Sequence, residues 1–162
     1  MINELHNLIA TKYISSVFYL EEKNVKDFPK TLIKTQGKAL ILKLDEDKKI
    51  LSFFKDVEGA KSLADYVVFI ESENKIFAFV IELSKRHPKF YQKESTVLFI
   101  QYIEKTAKRI YKKNQAFVYK YVLILQDFKL IRKGNTKASL NSTEDIMLSA
   151  GIDININHYC LG

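Results

Sequence analysis

The chain has little of what cross-links or punctuates a protein. Its single cysteine, Cys160, excludes an internal disulfide framework and a cysteine-based zinc site. Five glycines and two prolines are too few for a collagen-like or low-complexity segment. There is no tryptophan, and uninterrupted apolar runs such as Phe77–Ile81 fall far short of the ~20 residues a membrane helix needs. The opening residues carry Glu4 and no basic stretch, so no signal peptide is expected and the expected compartment is the cytoplasm. His6, His87 and His158 are scattered without ligand spacing. Neither a G-x-x-x-x-G-K-[ST] nor a G-x-G-x-x-G segment is present, so a nucleotide-binding loop is not expected.

What is present suits one domain spanning 1–162. The chain is 162 residues long and 47% apolar, enough to enclose a core, and no linker divides it. The net charge of +7 is unevenly spread. Residues 85–137 hold 14 Lys and Arg against three acids, whereas the other residues hold 12 against 16. A basic segment of that kind suits a polyanion such as nucleic acid, and it also suits mere solubility.

The apolar periodicity gives the coarse plan. Leu5, Leu8, Ile9 and Tyr13 predict a helix over about 3–14, with Asn3 as its cap. Val17–Leu20 suits a short strand or a continuation of that helix. Leu32 and Ile33 lead to Gly37, and Ala39–Leu44 predicts a strand that turns back at Asp45–Lys49 into a second one, Ile50–Phe54. Residues 56–64 form a connector. Tyr66–Ile70 and Ile76–Leu83, flanking the polar tip Glu71–Lys75, predict a hairpin. From Gln92 to Lys113 the period becomes helical, with Val97, Ile100, Ile103, Ala107 and Ile110 on one face. Phe117–Leu125 predicts a strand. An Asn141–Asp145 cap then predicts a short helix over Ile146–Ala150, and the alternation of Ile152, Ile154 and Ile156 a last strand. The expected class is α/β (α+β), a mixed central β-sheet flanked by helices.

Two acids stand out in the hairpin. Asp65 opens its first arm, and Glu82 lies inside the far end of the second, embedded in I-E-L. In an antiparallel pair these ends lie side by side, and a carboxylate placed among apolar residues calls for a compensating partner. Lys105, Lys108, Arg109 and Lys112, at helical spacing, make a basic stripe on the following helix. Tyr91, Tyr102, Tyr111, Tyr119 and Tyr121 interleave with the basic residues.

The succession helix–strand–strand–strand–helix–strand, with an acid opening the second core strand and another near the end of the third, resembles the αβββαβ core of the PD-(D/E)XK nuclease superfamily. The resemblance covers about residues 38–125, with an N-terminal helix before it and a small C-terminal addition over 126–162. It implies a restriction-endonuclease-like fold and metal-dependent hydrolysis of DNA phosphodiesters in restriction, repair or phage defence. Asp65 and Glu82 would hold Mg²⁺ or Mn²⁺ as hard oxygen ligands. Lys85 or Lys93 would supply the catalytic cation, and the basic stripe would contact phosphates. The family's acid-x-Lys would put lysine at 84, but the sequence reads Glu82-Leu83-Ser84-Lys85, and Ala64 stands where a proline is usual. A catalytically inactive module of the same fold, binding nucleic acid or a protein partner or acting as an immunity protein, is the alternative. A homodimer stays open.

Overall fold

The β-branched and aromatic residues that mark the hairpin in the sequence form the middle of the molecule. In the computed structural model, residues 1–22, 26–44, 51, 62–85, 90–126 and 145–160 are described. The elements in chain order are α1 (Ile2–Leu8), β1 (Tyr19–Leu20), β2 (Thr31–Lys34), β3 (Ala39–Lys43), β4 (Tyr66–Ser72), β5 (Lys75–Ser84), α2 (Phe90–Tyr111), β6 (Ala116–Leu125), β7 (Ile146–Ser149) and β8 (Ile154–Asn155). All of the expected strand Ile50–Phe54 except Leu51, and most of the connector 56–64, lie outside the described residues.

The fold is mixed α+β. A five-stranded sheet runs β3-β4-β5-β6-β7, and a three-stranded sheet runs β1-β2-β8. Strands β3, β4 and β5 are an antiparallel meander. α2 then carries the chain across to β6, which pairs parallel to β5, and β7 pairs parallel to β6. A parallel partner needs such a crossover because the chain must return to the starting edge before running the same way again.

Strand alternation sends side chains to two cores. Val67 and Phe69 of β4 and Ile76, Ala78 and Val80 of β5 join Ile2 and Leu5 of α1 and Ile100, Ile103 and Ala107 of α2. Tyr66, Val68 and Ile70, with Phe77, Phe79 and Ile81, pack instead with Leu20, Ile33, Ile154 and Ile156. Both helices therefore lie on one face of the large sheet and the small sheet on the other. Because β4 and β5 are covered on both faces, they read as nearly continuous apolar runs rather than as alternation. Phe69, Phe77 and Phe79 are among the largest fully buried side chains. Truncating any one to alanine should cost about 3–5 kcal/mol.

Several local expectations are corrected. The hairpin tip is a two-residue turn, Glu73–Asn74, with φ of 48° and 61°. This is the turn class whose twist matches the flanking strands. The N-terminal helix ends at Leu8, with a separate 3₁₀ turn at Thr11–Tyr13. Asn3 lies inside the helix, and Met1 takes the cap position without a side-chain cap bond. The chain leaves helical geometry because Ile14 bridges Leu42 and the Ser15 amide donates to the Ile41 carbonyl, satisfying part of the β3 edge. Thr31–Lys34 is a strand with neighbours on both sides, antiparallel β1 and parallel β8.

The largest correction concerns Ile146–Ala150. The segment is strand β7, with Ile146, Met147, Leu148 and Ser149 opposite Val122, Leu123, Ile124 and Leu125. Five residues gain almost no intrahelical hydrogen bonds, whereas the edge of β6 offers a ready ladder. The last strand is shorter than the isoleucine alternation suggests, and Ile156–Tyr159 closes as a 3₁₀ turn. No helix among the described residues is long and apolar enough to cross a membrane.

Candidate active site

The β4–β5 register decides whether the two acids meet. Tyr66 stands opposite Ile81, so Asp65 falls opposite Glu82 where that register continues. Alternation puts Glu82 on the helix-covered face with Val80 and Ala78, and Asp65 on the face of Val67 and Phe69. Both are buried, at 7% and 5% exposure for Asp65 and Glu82.

Asp65 is held from two sides. Its carbonyl accepts from the Leu44 amide at 2.9 Å, and its Oδ2 accepts from the Leu83 amide at 2.6 Å. The carboxylate thus ties the start of β4 to the end of β5. The first turns of α2 are fixed beside it. The Ala64 amide donates to Thr96 Oγ1 at 2.7 Å, and that hydroxyl donates to the Gln92 carbonyl at 2.6 Å. Gln92 Nε2 donates to the Leu63 carbonyl at 3.1 Å.

β6 supplies the next wall. Tyr121 lies opposite Val80 and shares the helix-side core. The Lys93 ammonium, from α2, sits 4.9 Å from its ring centroid and forms an ion pair with Asp145, the residue before β7. A cation over a phenol face is favourable because the ring's π-cloud is negative. Burial pushes the Tyr121 hydroxyl above its ordinary pKa, and the charges of Glu82, Asp145 and Asp65 push it further, so the phenol stays protonated. The hydroxyl is buried with no hydrogen-bond partner among the described residues.

Of the two candidate lysines, the structure brings only Lys93 to this wall. Lys85 follows the last residue of β5, is exposed, and has the opposite phase to Glu82; half-buried Ser84 shares the Glu82 phase. Asp145 and Tyr121 do not stand out in the sequence as partners of the acids. Asp145 reads there as part of a helix cap and Tyr121 as one of the tyrosines interleaved with the basic residues, and only the β6–β7 pairing brings them together.

The basic stripe divides. Lys105, Arg109 and Lys112 are exposed. Lys108 is half-buried, pairs with Glu104 at 2.6 Å, and lies 5.6 Å from the Phe117 ring centroid. Glu104 also accepts from the Tyr119 hydroxyl. Lys112 follows the last residue of α2 with φ 54°, a left-handed conformation common where helices end. Tyr102 projects from the middle of α2 with 70% of its surface exposed. The side chain of Tyr91 lies outside the described residues.

Two carboxylates are a suitable donor set for Mg²⁺, which takes one or two from protein and completes its octahedron with waters and phosphate oxygens. The described residues contain no group of three or more His, Cys, Asp or Glu arranged to hold a metal by themselves. Comparison of the chain with family models, curated proteins and solved structures finds no match.

Proposed function

We propose that the protein is a nuclease-like enzyme that hydrolyses DNA phosphodiesters with a divalent metal, in restriction, repair or defence against phage and mobile elements. The cytoplasm is the setting that fits such a role. One observation carries the reading: Asp65 and Glu82 lie side by side and buried at the ends of adjacent strands, with Lys93 reaching the neighbouring strand. Asp65 and Glu82 would hold Mg²⁺ or Mn²⁺, which supplies Lewis-acid polarisation of a phosphate and a more acidic water. Lys93, tethered by Asp145, supports negative charge beside the acids. Lys105, Arg109 and Lys112 give the strand a backbone contact surface that does not read sequence.

The test is incubation with plasmid and single-stranded DNA in Mg²⁺, in Mn²⁺ and in chelator. Cleavage by the wild type in metal, absent in chelator and in Glu82→Ala, is the expected result. Wild type and Glu82→Ala leaving the same uncut substrate would end the enzyme reading.

A second reading has its own observations. The Leu83 amide already uses Asp65, and Asp145 already pairs with Lys93, so both groups have structural work inside the fold. On this reading the protein is a catalytically inactive module that binds nucleic acid or a protein partner. Metal-independent DNA binding without cleavage is its expected signature.

A further inference from the structure

The acid site contains a group that the structural work of its neighbours does not use. Tyr121 is 8% exposed, and its hydroxyl has no hydrogen-bond partner among the described residues. Leaving a hydroxyl buried and unsatisfied costs free energy that phenylalanine at the same place would not. The ring is fixed by its position in β6 and by the Lys93 ammonium 4.9 Å from its centroid. Three carboxylates, Asp65, Glu82 and Asp145, act on the hydroxyl through their charge, and the nearby Lys93 is neutralised by Asp145. Carboxylate charge beside a phenol oxygen suits a hydrated cation.

We propose that the Tyr121 hydroxyl faces the divalent cation of the acid site and accepts a hydrogen bond from its hydration shell, as a third oxygen group beside Asp65 and Glu82. This rests on the reading of those two acids as cation ligands and adds a positioning residue to it. Groups in this outer position orient the inner ones and typically change metal affinity by about 10–100-fold. The reading explains why an aromatic residue with a polar atom, and not phenylalanine, lies in this wall.

Terbium(III), a hard oxygen-seeking ion, provides a test that needs no activity. With no tryptophan in the chain, its luminescence under ultraviolet excitation is sensitised chiefly by tyrosine, and the transfer falls steeply with distance. Wild-type protein should show saturable sensitised emission that Mg²⁺ suppresses, and Glu82→Gln should lose it. Tyr121→Phe should keep its fold, with an unchanged or raised melting temperature in the absence of ions. It should bind Mn²⁺ about tenfold more weakly by calorimetry. At saturating terbium its emission should fall to a minor fraction of wild type.

Wild-type emission from Tyr121→Phe at saturation overturns the proposal and leaves the acid-site reading standing, because the ion is still bound. Absence of any Mn²⁺ or terbium binding to the wild type overturns both.

Discussion

The Leu83 amide donates to Asp65 Oδ2 at 2.6 Å, joining the residue before β4 to the strand that carries Glu82. One carboxylate therefore shapes the end of the hairpin as well as standing at the candidate site. The two roles separate by substitution. Asp65→Asn retains an oxygen acceptor for the amide, whereas Asp65→Ala strands a buried N–H. Urea unfolding should show Asp65→Ala destabilised by about 1–3 kcal/mol and Asp65→Asn by clearly less. Both should lose metal-dependent cleavage. Equal stability of the two variants would remove the structural role of the hydrogen bond.

The placement of the lysines gives a second prediction. Lys93 approaches Tyr121 and is tied to Asp145, whereas Lys85 is exposed past the end of β5. Lys93→Met should lower the cleavage rate by about 10²-fold or more, the order seen when a group stabilising developing charge is removed. Lys85→Met should leave it close to wild type. The reverse pattern in single-turnover assays would return the catalytic cation to Lys85.

The exposed face of α2 is tested by salt. If Lys105, Arg109 and Lys112 each meet a phosphate, their joint reversal to glutamate should flatten the log–log salt dependence of DNA affinity. The slope should change by about one unit for each phosphate that is no longer neutralised. Lys108→Ala should matter less, because that ammonium pairs with Glu104. Titrations at several salt concentrations that give an unchanged slope would make the stripe a solvated helix face.

Acid stability should report on the N-terminal helix. The Lys113 ammonium holds the Glu4 carboxyl down to about 2, with the amino terminus helping, from an ordinary value of 4.5. Glu71 is lowered too, chiefly by the hydrogen bond from Gln115 Nε2 at 2.9 Å. Carboxylates depressed in the folded state contribute stability above their unfolded pKa and lose it as pH falls through the folded one. Melting temperature should therefore drop between about pH 4.5 and pH 2, and the drop should be shallower in Glu4→Gln. Parallel curves for the two proteins would show that the ion pair contributes nothing in solution.

Elements whose own residues carry a complete signal are legible from the chain alone. The β4–β5 hairpin, the 22-residue α2 and β6 are long, and each has one dominant periodicity or composition. That hairpin brings the ends carrying Asp65 and Glu82 side by side, and the two-residue turn seen in the structure sets the register that places them opposite each other. Short segments were decided elsewhere. Ile146–Ser149 is a strand because β6 presents an unpaired edge, and Thr31–Lys34 is one because β1 and β8 flank it. Neither neighbour is visible within the segment itself. The same limit applies to the site. That Lys93 and not Lys85 approaches the acid wall, and that Tyr121 and Asp145 belong to it, depend on how α2 and β7 dock against β6. These pairings join residues far apart in the chain, which packing brings together and local sequence cannot specify.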